Sequence, residues 1–318
     1  MIRISSLNLN IWKIVLCFSA LWFYSPGRHP RHYNYIQNKD VLSELVLPNH
    51  ENNGHNLNLS VFDVFDRLII NNKVVSSKEI FELKNFQNVD IGGEFRPKKC
   101  SSLSKTALIV PYRNRPQQLK IFLNYMHYFM QEQCITYRIF IVDQLDSKPF
   151  NRAKLLNIGA VEAMKLNFSC LILHDVDLLP ISTGNLYTCA RKPRHMSSSL
   201  DVFRYHLTYP DLFGGVVGIL SDQFKKINGM SNLFDGWGGE DDDFHARLIK
   251  FDLVPYRFSP ILSRYIMLKH PKAEPSKERF NMLKDSVDRQ PIDGLNSLIS
   301  NYVIEQKQLY THIQVNDD

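Results

Sequence analysis

Cys170-Leu-Ile-Leu-His-Asp-Val-Asp177 is the stretch on which the reading of this chain turns, an apolar run (CLILH) ending in two carboxylates one residue apart. A short apolar run of this kind reads as a strand buried on both faces, as in parallel sheets. Working back from it, Asn151 can cap a helix whose Leu156, Ala160, Ala163 and Met164 share an inner face. Tyr137–Val142 (YRIFIV) is a second strand. Behind Pro116, which suits a first helical turn, Leu119, Phe122, Leu123, Met126, Phe129 and Met130 fall at helical spacing. Ala107–Val110 (ALIV) is a further strand, followed by the charged loop Pro-Tyr-Arg-Asn-Arg-Pro. Strand, helix, strand, helix, strand predicts an α/β fold with a parallel sheet, whose ligands bind beyond the carboxyl ends of the strands. That places the candidate site at PYRNR (111–115), FNR (150–152) and DVD (175–177).

The 318 residues admit one large domain or two small ones, and 44% hydrophobic with 22% charged residues excludes a disordered or collagen-like chain. The net charge of +6 comes from 38 Lys+Arg against 32 Asp+Glu without a long cationic run, so no nucleic-acid partner is expected. Five cysteines are too few for a disulfide scaffold and match no zinc spacing. No internal repeat is visible.

Ile11–Tyr24 (IWKIVLCFSALWFY) is apolar except for Lys13. Its uninterrupted part, Ile14–Tyr24, is 11 residues long, short of the roughly 20 that span a bilayer, which leaves a cleaved signal peptide open. If Lys13 snorkels, the span reaches back to Leu7, and no small-x-small cleavage site follows; an uncleaved signal anchor is therefore the expectation. Arg3 and Lys13 before it and Arg28 and Arg31 after it leave orientation unassigned. The chain then divides into a tail (1–10), an anchor (11–24), an exposed stem rich in Asn, His, Pro and Arg (25–56) and the body (57–318). Sequons at Asn58 and Asn167 fit a lumenal body.

Two aspartates at the end of a buried strand are costly unless compensated, and a divalent cation serves when no basic residue is adjacent; the plainer reading is that one of them caps a turn. Met267-Leu-Lys-His270 offers a second ligand group, or else a core Met beside a surface His. In Gly236-Trp-Gly-Gly-Glu-Asp-Asp-Asp243, four carboxylates open a helix whose Phe244 and Leu248 share a face. Free N–H groups and the helix dipole stabilise acids there. Trp237 is a flat plate for a sugar ring, and a carboxylate beside it could take a hydroxyl proton; the alternative is a solvated acidic turn.

Seven motifs, in order, resemble those of the β-1,4-galactosyltransferases, glycosyltransferase family 7, over roughly Val89 to Val315. They are Pro111-Tyr-Arg-Asn-Arg115, Phe150-Asn-Arg-Ala-Lys-Leu-Leu-Asn157, Asp175-Val-Asp177, Phe213-Gly-Gly-Val216, Gly236 to Asp243, Met267-Leu-Lys-His270 and Arg279-Phe280. The resemblance implies a GT-A fold with a central, mostly parallel sheet behind a signal anchor. It implies a single-pass type II Golgi protein that uses Mn2+ and a UDP-sugar, inverts the anomeric centre, and builds a β-1,4 bond onto a glycan ending in GlcNAc. By the same resemblance Pro111, Arg113, Arg115, Phe150, Arg152, Asp175, Val176, Leu212, Gly215 and Trp237 would bind the donor, and Asp177, Met267 and His270 the Mn2+. Asp241 would be the base, with Glu240 beside it. Trp237, Gly238, Glu240, Asp241, Asp242, Arg279, Phe280 and Leu283 would receive the acceptor, and a segment at about 268–288 would close after donor and metal bind. Cys170 and Cys189 match a family disulfide. Cys100 matches half of a second one, for which Cys134 is the remaining partner in the body.

The chain also departs from the family pattern. Leu212 stands where the vertebrate galactosyl enzymes carry tyrosine, which leaves room for an acetamido group. A pocket change of this kind shifts selectivity by about 1 to 3 kcal/mol. The expected donor is UDP-GalNAc, with UDP-Gal as the alternative and an inactive sugar-binding protein as the reading from another class. Asp235 replaces an aromatic residue, the segment from His270 to Arg279 is shorter than in vertebrate members, and Gly239 stands where the xylose-acceptor branch has arginine. The physiological acceptor and the oligomeric state have no signal in the chain.

Overall fold

The computed structural model describes residues 5–24, 33–46, 61–98, 105–271 and 273–318. The chain divides into two units, Met1–Asn34 and Tyr35–Asp318. In the first, α1 (Ser5–Tyr24) is one helix of 20 residues. Ser5, Ser6, Asn8, Asn10 and Lys13 dilute its apolar side chains, and no helix among the described residues is long and apolar enough to cross a membrane. The expected stem lies partly outside the described residues, as do Asn58 and Cys100. Its described part is not an exposed linker: Val41 and Leu45 are buried, Ile36 N donates to Arg257 O and Val46 N to Cys189 O.

The second unit is built on β1 (Lys105–Tyr112), α2 (Pro116–Gln131), β2 (Thr136–Gln144), α3 (Arg152–Lys165) and β3 (Cys170–His174). The helix starts follow from local chemistry. Pro116 opens α2, and Asn151 Oδ1 accepts from Lys154 N at 2.9 Å ahead of α3. The strand β1 takes in Pro111 and Tyr112, so the charged loop begins at Arg113 rather than at Pro111. Among the strands that follow are β4 (Leu178–Pro180), β5 (Val216–Leu220), β6 (Arg264–Met267), β7 (Tyr302–Gln306) and β8 (Thr311–Val315).

The main sheet has the order β7-β8-β2-β1-β3-β5, with Arg194–His195 beyond β5 and Glu94–Phe95 paired to β2. Strands β8, β2, β1 and β3 are parallel, while β5 and β7 run antiparallel to their neighbours. The mostly parallel sheet of the sequence reading is thus a four-stranded parallel centre within a mixed sheet. Because β2 lies on one side of β1 and β3 on the other, the connections diverge at the carboxyl ends of β1 and β3, where open α/β sheets bind ligands.

Phe122, Met126 and Met130 of α2 share one core with Leu108 and Val110. On the other face Leu156, Ile158 and Ala160 of α3 share a core with Ile109 and Val142. The approach of α3 is so close that a Cβ on Gly159 would stand 2.4 Å from Ile109 Cγ2. A second sheet pairs β4 with β6 antiparallel, Leu178 opposite Met267, and Ser199–Leu200 with β6 in parallel. Only Asp175-Val-Asp177 separates β3 from β4, so this ladder ties residues 264–267 to the DVD turn. Cys170 and Cys189 form a disulfide. Cys134 is also disulfide-bonded, and the partner expected for it, Cys100, lies outside the described residues.

Candidate active site

Arg152, in the first turn of α3, joins four of the sequence motifs. Its Nε donates to Asp175 Oδ1 at 2.7 Å, its Nη2 to Gly215 O at 3.2 Å, and its Nη1 lies 3.7 Å from Glu240 Oε1. Burial opposes the charge of this guanidinium, but Asp175 and Glu240 outweigh it and raise the pKa. Asp175 is therefore compensated by a basic residue that is not adjacent to it in the chain. Arg152 does so from 23 residues away, a partner that adjacency in the chain could not reveal.

The acidic segment opens helix α4 (Glu240–Lys250). Gly238 and Gly239 have φ of +104° and +95°, a left-handed turn that brings the chain round into the helix, and a Cβ on Gly239 would stand 2.9 Å from Phe234 Cε1. This backbone requirement accounts for the two glycines as much as access does. Burial pushes Glu240 up to about 7, with the neighbouring Asp241 charge adding to it and Arg152 opposing. Burial and then Asp242 raise Asp241. Glu240 Oε2 is buried with no hydrogen-bond partner among the described residues, and is an open acceptor for a hydroxyl. Asp242 Oδ1 accepts from Tyr209 at 3.1 Å.

Asp177 and His270 meet at 2.9 Å, between Oδ2 and Nε2. The β4–β6 ladder brings them together, and Leu268 N donates to Asp177 O at 2.7 Å. His270 Nδ1 faces the carbonyl of Pro271 at 2.8 Å, so that nitrogen carries the proton and Nε2 turns a lone pair toward a carboxylate. Two acceptors face to face need a proton or a cation between them. Burial, followed by the Asp175 charge, pushes Asp177 up to about 6. Arg115 Nη1 is buried without a hydrogen-bond partner among the described residues, and its charge reaches Asp177. No three His, Cys, Asp or Glu side chains among the described residues form a metal-holding group. The Asp177–His270 pair, with Met267 opposite Leu178 on the paired strand, offers a carboxylate, an imidazole and a thioether, residue types suited to one cation.

The remaining expected residues gather round this centre to different degrees. Arg113 donates to Lys148 O and lies 5.3 Å over the ring of Phe150, whose carbonyl accepts from Gly236 N at 3.0 Å. Trp237 is 58% exposed, and its carbonyl accepts from Ser276 N, which pins the following segment to it. Helix α5 (Arg279–Lys284) brings Arg279 Cδ to 3.0 Å from where a Gly238 Cβ would be, with its guanidinium 4.4 Å over the Phe280 ring. Leu283 is half-buried, and Pro111 and Val176 are buried. Leu212 is half-buried in a loop whose carbonyls are held from outside: Arg257 Nη2 donates to Pro210 O and Leu212 O, and His195 Nε2 lies 3.1 Å from Gly214 O. Asp235 accepts from the capping Asn151 at 3.0 Å, which gives it a structural partner in place of an acceptor contact. Sequence reading missed Tyr209, Arg257 and His195, since each acts across at least 19 residues on a backbone or side-chain atom.

The family model for the N-terminal region of glycosyl transferase group 7 matches residues 64–190, and that for the N-terminal domain of galactosyltransferase matches 194–271. Mouse β-1,4-galactosyltransferase 1 is 38% identical over 78% of this chain and 63% of its own length. Chinese hamster (Cricetulus griseus) β-1,4-galactosyltransferase 4 is 39% identical over 70% of this chain and 67% of its own. The chain thus spans about two thirds or less of relatives such as the mouse enzyme. Among solved structures, the catalytic domain of Drosophila β-1,4-galactosyltransferase 7 with xylobiose superposes with a TM-score of 0.58, at 28% identity, over 67% of this chain and 93% of that one. A variant of the same domain, in complex with manganese, UDP-Gal and xylobiose, gives 0.57 at 30% identity with the same coverage. The mixed α/β sheet is that of GT-A-type galactosyltransferases, and by motif order, domain models and relatives alike, this chain belongs to glycosyl transferase group 7.

Proposed function

We propose that this chain is an inverting, Mn2+-dependent glycosyltransferase that moves a sugar from UDP to O4 of a terminal β-GlcNAc. The observation that carries the reading is the convergence of Arg152, Asp175, the Asp177–His270 pair and Glu240 on one set of strand ends. Asp177, Met267 and His270 would hold the Mn2+, which when bound would supply positive charge toward the departing diphosphate. Arg152 and the unpaired Nη1 of Arg115 hold the diphosphate oxygens. Asp241 takes the proton of the acceptor hydroxyl as it attacks the anomeric carbon from the face opposite UDP, while Glu240 and Asp242 hold sugar hydroxyls. Trp237 and the segment around 268–288 exclude water, which limits hydrolysis of the donor.

For the donor, the leucine at 212 supports UDP-GalNAc, while relatives at about 40% identity that are galactosyltransferases support UDP-Gal. Purified protein assayed with each UDP-sugar against a GlcNAc-terminated acceptor, with and without chelator, decides both points. Transfer undiminished by chelation overturns the metal reading. A strong preference for UDP-Gal overturns the argument from Leu212, and Leu212→Tyr is expected to move the donor ratio toward galactose by about 10-fold or more.

Gly214→Ala tests the base from the other side. A Cβ there would stand 2.7 Å from Asp241 Oδ2, so the carboxylate must shift. A fall in kcat of about 10- to 100-fold with little change in donor KM is expected from such a misplacement; unchanged steady-state kinetics would mean that the carboxylate position is not critical.

The compartment proposed with it is the Golgi lumen, with residues 11–24 as an uncleaved anchor that depends on Lys13 snorkelling, since α1 by itself falls short of a membrane-crossing helix; the disulfide at Cys170–Cys189 is stable there. The exposed Asn167, in the turn after α3, is open to glycosylation there.

A further inference from the structure

His174, Tyr187 and Tyr265 lie directly behind the DVD turn, each fully buried. His174 Nδ1 is 2.9 Å from Asp175 O, and a carbonyl only accepts, so this nitrogen carries the ring proton. Nε2 is then an acceptor, and it takes the hydroxyl hydrogen of Tyr187 at 2.8 Å. The Tyr187 oxygen in turn stands 3.1 Å from the Tyr265 hydroxyl, which is left as the donor. The bonds therefore run one way, from Tyr265 through Tyr187 and His174 to the Asp175 carbonyl.

Each end of this chain touches one half of the cation site. The Asp175 carbonyl also accepts from Leu178 N at 3.2 Å, closing the four-residue turn that carries Asp177. Tyr265 is on β6, two residues before Met267, and pairs with Pro180 on β4. Tyr187 lies two residues before Cys189, whose disulfide returns to the first residue of β3. Phe122 packs against His174 edge to face, with centroids 5.1 Å apart.

We propose that His174 and Tyr187 are positioning residues for Asp177, setting the shape of its turn and so the affinity of the site for a divalent cation. The inference rests on the metal reading above, and it concerns residues that touch neither cation nor substrate. Outer partners of this kind change metal affinity by about 10- to 100-fold when lost.

The two amide variants separate the bonds. His174→Asn keeps a donor near the Nδ1 position, and His174→Gln keeps a polar atom near Nε2 and withdraws the bond to Asp175 O. Mn2+ binding by the purified protein, alone and with UDP, is read from the electron paramagnetic resonance of free Mn2+. His174→Gln is expected to weaken Mn2+ binding about 10-fold or more, His174→Asn, which breaks only the bond at Nε2, by several-fold, while Tyr265→Phe stays within about 3-fold of the unaltered protein. Should His174→Gln not fold, Tyr187→Phe carries the test, with an expected several-fold loss of Mn2+ binding read on protein shown to be folded at the assay temperature. Equal Mn2+ binding by His174→Gln and the unaltered protein overturns the inference alone, as does equal loss in both amide variants. Failure of the unaltered protein to take up Mn2+ overturns the metal reading itself.

Discussion

Asp241→Asn is expected to lower kcat for sugar transfer by about 10^2- to 10^4-fold, the usual worth of a positioned general base, while binding of UDP with Mn2+ persists. The side chain sits in the first turn of α4, with Gly214 left bare opposite Oδ2 so that the carboxylate can stand where it does. An amide has the same shape but accepts no proton, and the change leaves Arg152, Asp175, Asp177 and His270 untouched. Stability should rise slightly. Burial and the Asp242 charge raise the Asp241 pKa in the fold, so its ionised form at neutral pH is a cost that the neutral amide removes. Turnover assays beside UDP titrations and thermal melts check all three parts. A sugar-binding module would lose nothing measurable, and full turnover in the variant would remove Asp241 from the mechanism.

Arg247→Met should be the most destabilising single change in the body, by about 3 to 5 kcal/mol. Arg247 is wholly buried: its Nε donates to Asp243 Oδ2 at 2.7 Å, its Nη1 to Asp293 O at 2.7 Å, and its Nη2 lies 3.4 Å from Asp293 Oδ2. Asp293 also accepts from Ser231 Oγ and Asn232 N, which fixes the strand-free stretch leading to Trp237. Removing the guanidinium leaves two buried carboxylates with no cation, and Asp243 is already raised by burial against the pull of Arg247. Denaturant unfolding measures the effect. A loss below about 1 kcal/mol would mean that water reaches the cluster, and adding Asp243→Asn to the variant should recover part of the stability.

The parallel centre was legible because strands buried on both faces must be apolar along their length, and α3 announces itself through Asn151. The acidic helix start was equally plain, since four carboxylates in one turn need its free N–H groups. What escaped the reading pairs across long separations. The β4–β6 ladder, the grip of Arg152 on Asp175 and the reach of Arg247 to Asp293 each join residues that have no periodicity in common. The mixed outer strands β5 and β7 are short, and nothing in Val216–Leu220 distinguishes an antiparallel neighbour from a parallel one. Of the metal set, Asp177 was suggested by its strand, whereas Met267 and His270 stood as a second ligand group beside the plainer reading of a core Met and a surface His, and the resemblance favoured the first.

The ladder that sets Leu178 against Met267 also dictates an order of events during synthesis. β1, β2 and β3 can associate through neighbouring stretches of the nascent polypeptide, but the second half of the cation cradle emerges about 90 residues later, and joining it closes a long loop at an entropic cost that grows only slowly with length. β8, a strand of the parallel centre, emerges later still, and a ribosome-bound fragment ending short of Arg264 carries β1, β2 and β3 without the Asp177–His270 pair.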